Sequence, residues 1–373
     1  MDTAQLPVKS LLICDNAPSS IFGTGQRLLA IKRALDSIGE CRILYLNNDE
    51  TQDELGPQDY VAPMPIAKNT SRLGYIVKDL CFYNYRIDHH YDAKIKAIKK
   101  EFNFDVAICS FFRNTPAAPT NLAPCLLDID AIEELACTGK LSKLLWPFTK
   151  LMMQRRARDF KKILYIRPSD IYLFKKSQHV DFAYLPGFSA TALPGKSVTK
   201  NQSIIIVGSM QWLPNRDAID ALIRLHLPNQ LVAKGWTLRL IGSGTDRYKN
   251  INGVDCAGFV EDINDEYRQA GMAICPIWSG AGANIKLAEA IQMGCAVVAT
   301  GHSAAGYAGF LVPDRDFLVG ATPQDFIKQI MRLVGSDDLR VTLEKNAKKF
   351  AAENLTQAKM THIVTNAVKQ AIA

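Results

Sequence analysis

The sequence predicts an α/β protein made of two doubly wound, parallel-sheet domains in tandem. Short β-branched or leucine-rich runs recur along the chain, each followed by a longer segment with apolar residues at helical spacing. The runs are apolar throughout rather than alternating, as strands buried on both faces require. They form two sets, separated by the stretch Gly187–Gln202, which is rich in Gly, Pro, Ser and Thr and lacks periodicity. The expected domains are therefore residues 1–190 and 191–355, followed by a terminal helix over about 356–373.

In chain order, the first set of strands is Leu11–Cys14, Arg42–Leu46, Asp105–Cys109, Cys125–Asp128, Ile163–Ile166 and Asp181–Leu185. The second is Ser203–Val207, Thr237–Ile241, Val254–Ala257, Met272–Cys275, Ala296–Ala299 and Phe310–Val312. Pro323–Gly335, Asp338–Asn354 and Gln357–Ala373 read as amphipathic helices. The segment Leu141–Lys162 mixes Trp146, Phe148, Leu151, Met152 and Met153 with Arg155, Arg156, Arg158, Lys161 and Lys162. An ordinary helix with a solvated basic face is the preferred reading; a helix lying on an acidic membrane is the alternative. The aromatic stretch Tyr75–Ile87 is open to the same two readings.

A chain of 373 residues, 48% apolar and 22% charged, has enough material for two cores. Its net charge of +7 is concentrated in neither half, so no nucleic-acid-binding domain is indicated, while an anionic ligand or membrane surface is permitted. Nine cysteines form no C-x-x-C pair and read as buried thiols of a reducing compartment. Leu11–Cys14 is too short for a signal-peptide core, and no apolar run nears the ~20 residues of a membrane span. A cytoplasmic location is expected, with peripheral contact at the inner face of a membrane left open. The six histidines show no ligand spacing with cysteines, so no metal site is assigned.

Three segments could carry chemistry. In the strongest, Pro276-Ile-Trp-Ser-Gly-Ala-Gly-Ala-Asn-Ile-Lys-Leu-Ala-Glu289, a strand ends at Cys275, a glycine loop follows and a helix begins near Ala283. Helix N-terminal amides and close backbone approach suit a phosphate. Lys286 and Glu289, three apart, share a helix face, where the ammonium can meet a diphosphate and the carboxylate a ribose diol. A tight turn with a surface ion pair fits this segment equally well. In the second, Gly23, Thr24 and Gly25 follow the first strand, with Arg27 nearby; they could receive a phosphate or an acceptor, or simply start a helix. The G-x-G-x-x-L spacing lacks the third glycine of a dinucleotide fingerprint, which disfavours a nicotinamide enzyme. In the third, Asp128 and Asp130 end a strand ahead of Glu133 and Glu134; these carboxylates could orient or deprotonate a sugar hydroxyl or hold a cation, and helix capping by Asp130 fits equally well.

Taken in order, Val207-Gly-Ser-Met-Gln-Trp-Leu-Pro-Asn-Arg-Asp-Ala218, Leu240-Ile-Gly-Ser-Gly244, Gly258-Phe-Val-Glu-Asp-Ile-Asn-Asp-Glu-Tyr267, Ala273-Ile-Cys-Pro276 and Lys286-Leu-Ala-Glu-Ala-Ile-Gln-Met-Gly-Cys-Ala-Val-Val-Ala-Thr300 make residues 203–355 resemble the donor domain of GT-B glycosyltransferases, in particular the retaining family 4. The first half is similar in layout. The resemblance implies a GT-B fold, two Rossmann-like domains facing a central cleft, with the terminal helix crossing back to the N-terminal domain. It implies that Glu289 holds the ribose of a UDP- or GDP-type nucleotide-sugar, a co-substrate rather than a cofactor. Lys286 and the backbone of Ser279, Gly280, Ala281, Gly282, Ala283 and Asn284 would face the diphosphate, Gly208 and Ser209 would line the pocket, and Phe259 and Val260 would hold the base. The acceptor, a glycan or lipid-linked saccharide, would sit in the first domain near Asp130, and transfer would be metal-independent, in a bacterial-type polysaccharide or glycoconjugate pathway. Two departures stand out: Ala281 occupies the position of the family's first glutamate, and Met210–Asn215 lacks its Arg/Lys pair, leaving Arg216 or Lys286 to compensate. A catalytically impaired nucleotide-sugar-binding or scaffold relative is therefore the alternative, with an epimerase or hydrolase ranked third.

Overall fold

The computed structural model describes residues 7–19, 23–46, 56–62, 88–132, 140–174, 180–187, 200–280 and 282–373. The chain forms two compact units, Met1–Pro186 with Gln357–Ala373, and Gly187–Thr356. Most of the Gly187–Gln202 stretch, Tyr75–Ile87, Glu133, Glu134 and Ala281 lie outside the described residues.

The first unit is built on β1 (Val8–Cys14), β2 (Gly39–Tyr45), β3 (Tyr60–Val61), β4 (Val106–Ser110), β5 (Cys125–Ile129), β6 (Lys162–Tyr165) and β7 (Asp181–Tyr184). Their spatial order is β3-β2-β1-β4-β5-β6-β7, and every pairing is parallel. β4 and β5 are buried at every residue, the expected result of covering a parallel sheet on both faces. Leu11, Leu44, Phe104, Leu127, Met153 and Phe160 meet in one core. The two-residue β3 has no apolar run to announce it; it exists through pairing with Leu44 and Tyr45. The terminal helix Gln357–Ile372 packs on the helix Gly23–Asp36, where the Gln357 amide donates to the Ala30 carbonyl at 3.0 Å.

The second unit holds β8 (Ser203–Val207), β9 (Thr237–Ile241), β10 (Val254–Gly258), β11 (Met272–Cys275), β12 (Val297–Thr300) and β13 (Leu318–Gly320). Their order is β10-β9-β8-β11-β12-β13, again all parallel. The last strand differs from the sequence expectation. Phe310 and Val312 are exposed, and the Val312 amide is turned onto the Asp316 carboxylate at 2.9 Å, whereas Leu318 is buried and pairs with Val298. The helix Pro323–Val334 seats Phe326, Ile327, Ile330 and Leu333 in the core, starting at Thr322, whose hydroxyl accepts from the Asp325 amide at 3.1 Å.

In both sheets the strand order reverses beside the unit's first strand, between β1 and β4 and between β8 and β11. Loops leaving the carboxyl ends of those strands diverge, and ligands of open α/β sheets collect in the resulting crevice.

Candidate active site

In the second unit the crevice lies between the loop after β8, which carries Gly208 and Ser209, and the loop after β11, which leads to the helix Ile285–Gln292. The first loop closes against β9: Gly208 donates to the Ile241 carbonyl, Met210 to the Ser243 carbonyl, and the Ser209 and Ser243 hydroxyls stand 2.7 Å apart. A Cβ on Gly242, at φ +128°, would stand 2.2 Å from the Gly208 carbonyl oxygen, so the close approach of the two loops requires glycine at 242. The Asn215 side chain donates to the Ser209 carbonyl at 2.8 Å and pins the loop.

The second loop contains Ser279, Gly280 at φ +135°, Gly282 at φ +73°, Ala283 and Asn284. The Trp212 ring lies beside Gly280, 3.4 Å from where a Cβ would be, and is half exposed. Asn284 caps the helix, its Oδ1 accepting from the Lys286 amide at 3.1 Å. The backbone amide of Lys286, in the first turn of the helix, is thus bound to the cap. The Asn284 amide group donates to the Ser303 hydroxyl at 3.2 Å, Ser303 donates to the Cys275 carbonyl at 2.9 Å, and Tyr307 donates to the Asn284 carbonyl at 3.3 Å. The helix start is therefore tied to the ends of β11 and β12.

Lys286 and Glu289 face each other one helical turn apart, with Nζ 3.2 Å from Oε1 and 3.1 Å from Oε2. Glu289 is only 3% exposed, and its Oε2 also accepts from the Tyr267 hydroxyl at 3.2 Å. A buried carboxylate is costly unless charge-paired and hydrogen-bonded, and here it is both. Burial, reinforced by Glu289, holds the Tyr267 phenol far above its usual range, so it remains a donor. Burial first and Glu289 second raise the Cys275 thiol to about 12 against the opposing charge of Lys286. The sequence reading gives Tyr267 no role. A tyrosine in an amphipathic helix just before a strand is a usable signal, because a buried hydroxyl needs a partner.

The other residues expected on the donor side stand on other elements of the second unit. Phe259 and Val260 follow β10 at the sheet edge, with Phe259 77% exposed. Arg216 is half buried in the helix Leu213–Arg224, and its charge lowers the titration of Tyr248, a phenol that burial raises and that donates to Asp220.

In the first unit the loop after β1 and the end of β5 do come together. Thr24 donates to Asp130 Oδ2 at 3.1 Å. Burial pushes the Asp130 carboxyl above its ordinary range; Arg27 opposes this, Asp128 adds to it, and Arg113 pulls it back. Gly23 opens the helix, and Gly25 allows the turn to close, its carbonyl accepting from the Ser19 amide at 3.0 Å. Arg27 differs from its sequence-based reading as a cation beside a phosphate loop. It is 1% exposed, with Nη2 2.6 Å from Asp128 Oδ1, Nε 3.1 Å from the same oxygen, and Nη1 on the Leu185 carbonyl at 2.8 Å. Asp128 is fully buried and accepts from Ser110 as well, so this pair locks the fold. Asp15 after β1 pairs with Arg113 after β4, and Asn114 donates to Asp15 Oδ1 at 3.0 Å. Phe111, at φ 67°, makes the turn into that segment. Only the adjacency of β1 and β4 brings these residues together, and the sequence offers no local sign of it.

The class defined by two all-parallel, doubly wound units is the GT-B fold of glycosyltransferases. Structural likeness extends over nearly the whole chain: sucrose-phosphate synthase from Thermosynechococcus elongatus (12% identity, 97% of this chain and 98% of that one, TM-score 0.73), TarM (10%, 98% and 99%, 0.71), and WaaG, a glycosyltransferase involved in lipopolysaccharide biosynthesis (16%, 97% and 99%, 0.65). HepE from Anabaena, solved with UDP, is similar at 13% identity over 97% and 99%, with a TM-score of 0.68. No curated protein matches the sequence. Residues 201–336, within the second unit, match the family model "Glycosyl transferases group 1". Among the described residues, no cluster of three His, Cys, Asp or Glu is placed to hold a metal ion.

Proposed function

We propose that the chain transfers a sugar from a UDP- or GDP-type nucleotide to a glycan or lipid-linked acceptor in bacterial-type polysaccharide or glycoconjugate synthesis. The observation that carries this reading is the buried Glu289, held by Lys286 and Tyr267 in the helix Ile285–Gln292 that follows the β8–β11 crevice. The carboxylate has acceptor capacity for ribose hydroxyls, and Lys286, 28% exposed at its side chain, is close enough to solvent to meet a diphosphate. HepE structures with UDP and UDP-glucose, and a TarM structure with UDP and alpha-GlcNAc-glycerol, support a nucleotide-sugar donor.

In this reading the donor C1–O bond to the diphosphate breaks as the acceptor oxygen bonds to C1 on the same face. The acceptor's proton passes to the departing phosphate oxygen, so retention needs no protein nucleophile. Lys286 and the loop amides stabilise the charge growing on the diphosphate, which lets the reaction run without a metal. Asp130, with its raised affinity for protons, orients the acceptor hydroxyl. The setting is cytoplasmic.

A thermal-shift panel of UDP, GDP, ADP and CMP nucleotides identifies the nucleotide, because a ligand of the native state raises the melting temperature. Turnover of the matching radiolabelled nucleotide-sugar should then be lost in folded Lys286→Ala and Glu289→Ala variants; normal turnover in both removes the site assignment. Ala281, standing where the family has a glutamate, favours one second reading: a nucleotide-sugar-binding relative without transfer. Nucleotide binding without turnover of any acceptor would select it.

A further inference from the structure

The helix Lys140–Ala157 contains Lys140, Lys143, Lys150, Arg155 and Arg156 and no acidic residue in its 18 positions. Its inner face is settled: Met153 and Ala157 are fully buried, Phe160 follows at the same spacing, and Trp146 packs on the same core. On the opposite face Leu144, Phe148 and Leu151, spaced i, i+4, i+7, are 74%, 47% and 45% exposed. Arg155 and Arg158, both exposed, continue that stripe, and exposed Lys150 flanks it. The neighbouring short helix Ile171–Phe174 is joined through Gln154, which donates to the Leu173 carbonyl at 2.5 Å, and it adds an exposed Tyr172. Asp159 follows the helix in sequence, and Arg156 already holds it at 3.0 Å.

An apolar stripe on a helix of unbalanced positive charge has two surfaces to satisfy at once. We infer that this face of the first unit docks on an anionic lipid bilayer, with Leu144, Phe148 and Leu151 among the acyl chains and Lys150, Arg155 and Arg158 at the head groups. A second copy of the chain is the poorer occupant, because a two-fold contact sets this basic face against itself. No helix among the described residues is long and apolar enough to cross a membrane, so the contact is with its surface. The inference does not depend on the transferase reading.

Co-sedimentation of the full chain with phosphatidylcholine vesicles, with and without phosphatidylglycerol, tests it. The chain is expected to bind the phosphatidylglycerol vesicles and to be released by salt. Leu144→Glu with Phe148→Glu should weaken binding on the order of a hundredfold at unchanged melting temperature. Arg155→Gln and Arg158→Gln should each weaken it about fivefold and flatten the salt dependence. A Phe148→Trp variant, which keeps the surface apolar, should gain an indole signal that brominated lipid quenches. Absence of binding to anionic vesicles, equal binding of the glutamate variant, or an added indole signal that brominated lipid leaves unquenched overturns the inference. So does a lipid-free dimer that the glutamate substitutions dissolve, which would make the face a contact between copies.

Discussion

Replacing Glu289 by glutamine tests the proposed donor site with little change in shape. Glu289 is 3% exposed and its two oxygens already meet Lys286 at 3.1–3.2 Å and Tyr267 at 3.2 Å. Glutamine keeps one acceptor oxygen and turns the other position into a donor, which then faces an ammonium, a phenol or a ribose hydroxyl, all donors themselves. A hydrogen bond to a charged acceptor is worth about 1.5–3 kcal/mol, so losing one should weaken nucleoside diphosphate binding roughly 10- to 150-fold. Calorimetry with the nucleotide and its 2′-deoxy and 3′-deoxy forms, on both proteins, completes a cycle. The deoxy penalty should be large in the native chain and mostly absent in Glu289→Gln, because the carboxylate that the hydroxyl met is gone. A deoxy penalty equal in both proteins would show that Glu289 does not hold the ribose. A substitution that leaves nucleotide affinity within twofold would refute the site outright.

Arg27→Met should destabilise the first unit by about 3–5 kcal/mol in urea unfolding, because Asp128 is left charged and fully buried, and Arg27→Met with Asp128→Leu should recover most of that loss; a single-variant cost below about 1 kcal/mol would contradict the buried-lock reading. Burial raises the Asp130 carboxyl in the fold, so its contribution to stability is complete below the ordinary carboxylate range and is lost as pH rises through the raised value. Asp130→Asn should accordingly melt higher than the native chain at neutral pH, with the difference vanishing below about pH 4; a pH-independent difference would exclude this origin. Gly242→Ala should cost about 2 kcal/mol or more and weaken nucleotide binding, since its Cβ would strike the Gly208 carbonyl at a backbone angle that L-residues avoid; unchanged melting and affinity would show that the loop gives way freely.

Much of the proposed donor site can be read locally. A strand, a glycine loop and a helix with Lys286 and Glu289 one turn apart are all contiguous in sequence, and the helical repeat alone places the two charges together. Asn284 as the cap is equally accessible, standing two residues before the amide it accepts from. Tyr267 is harder, because it lies 22 residues from Glu289 and reaches it only through the packing of two helices. In the first unit, Thr24 and Asp130 each stand out locally, but they lie 106 positions apart in sequence and nothing local pairs them. Arg27 misleads for the same reason: a cation beside a glycine loop looks available until the partner 101 residues away is known.

Hydrophobic periodicity, a short-range property, determined that this chain makes parallel α/β sheets and where the long amphipathic helices run, and the local spacing of glycines placed a glycine loop ahead of the helix of Lys286. Strand order was decided elsewhere. That β1 neighbours β4 and β8 neighbours β11 depends on how helices pack across the two faces of each sheet, and that adjacency puts Asp15 against Arg113 and Gly208 in the same crevice as Asn284. Tertiary packing also separated buried from exposed among chemically similar residues. Met153 and Leu151 lie two positions apart on one helix, yet one is sealed in the core and the other faces outward, because burial depends on what the rest of the chain brings alongside.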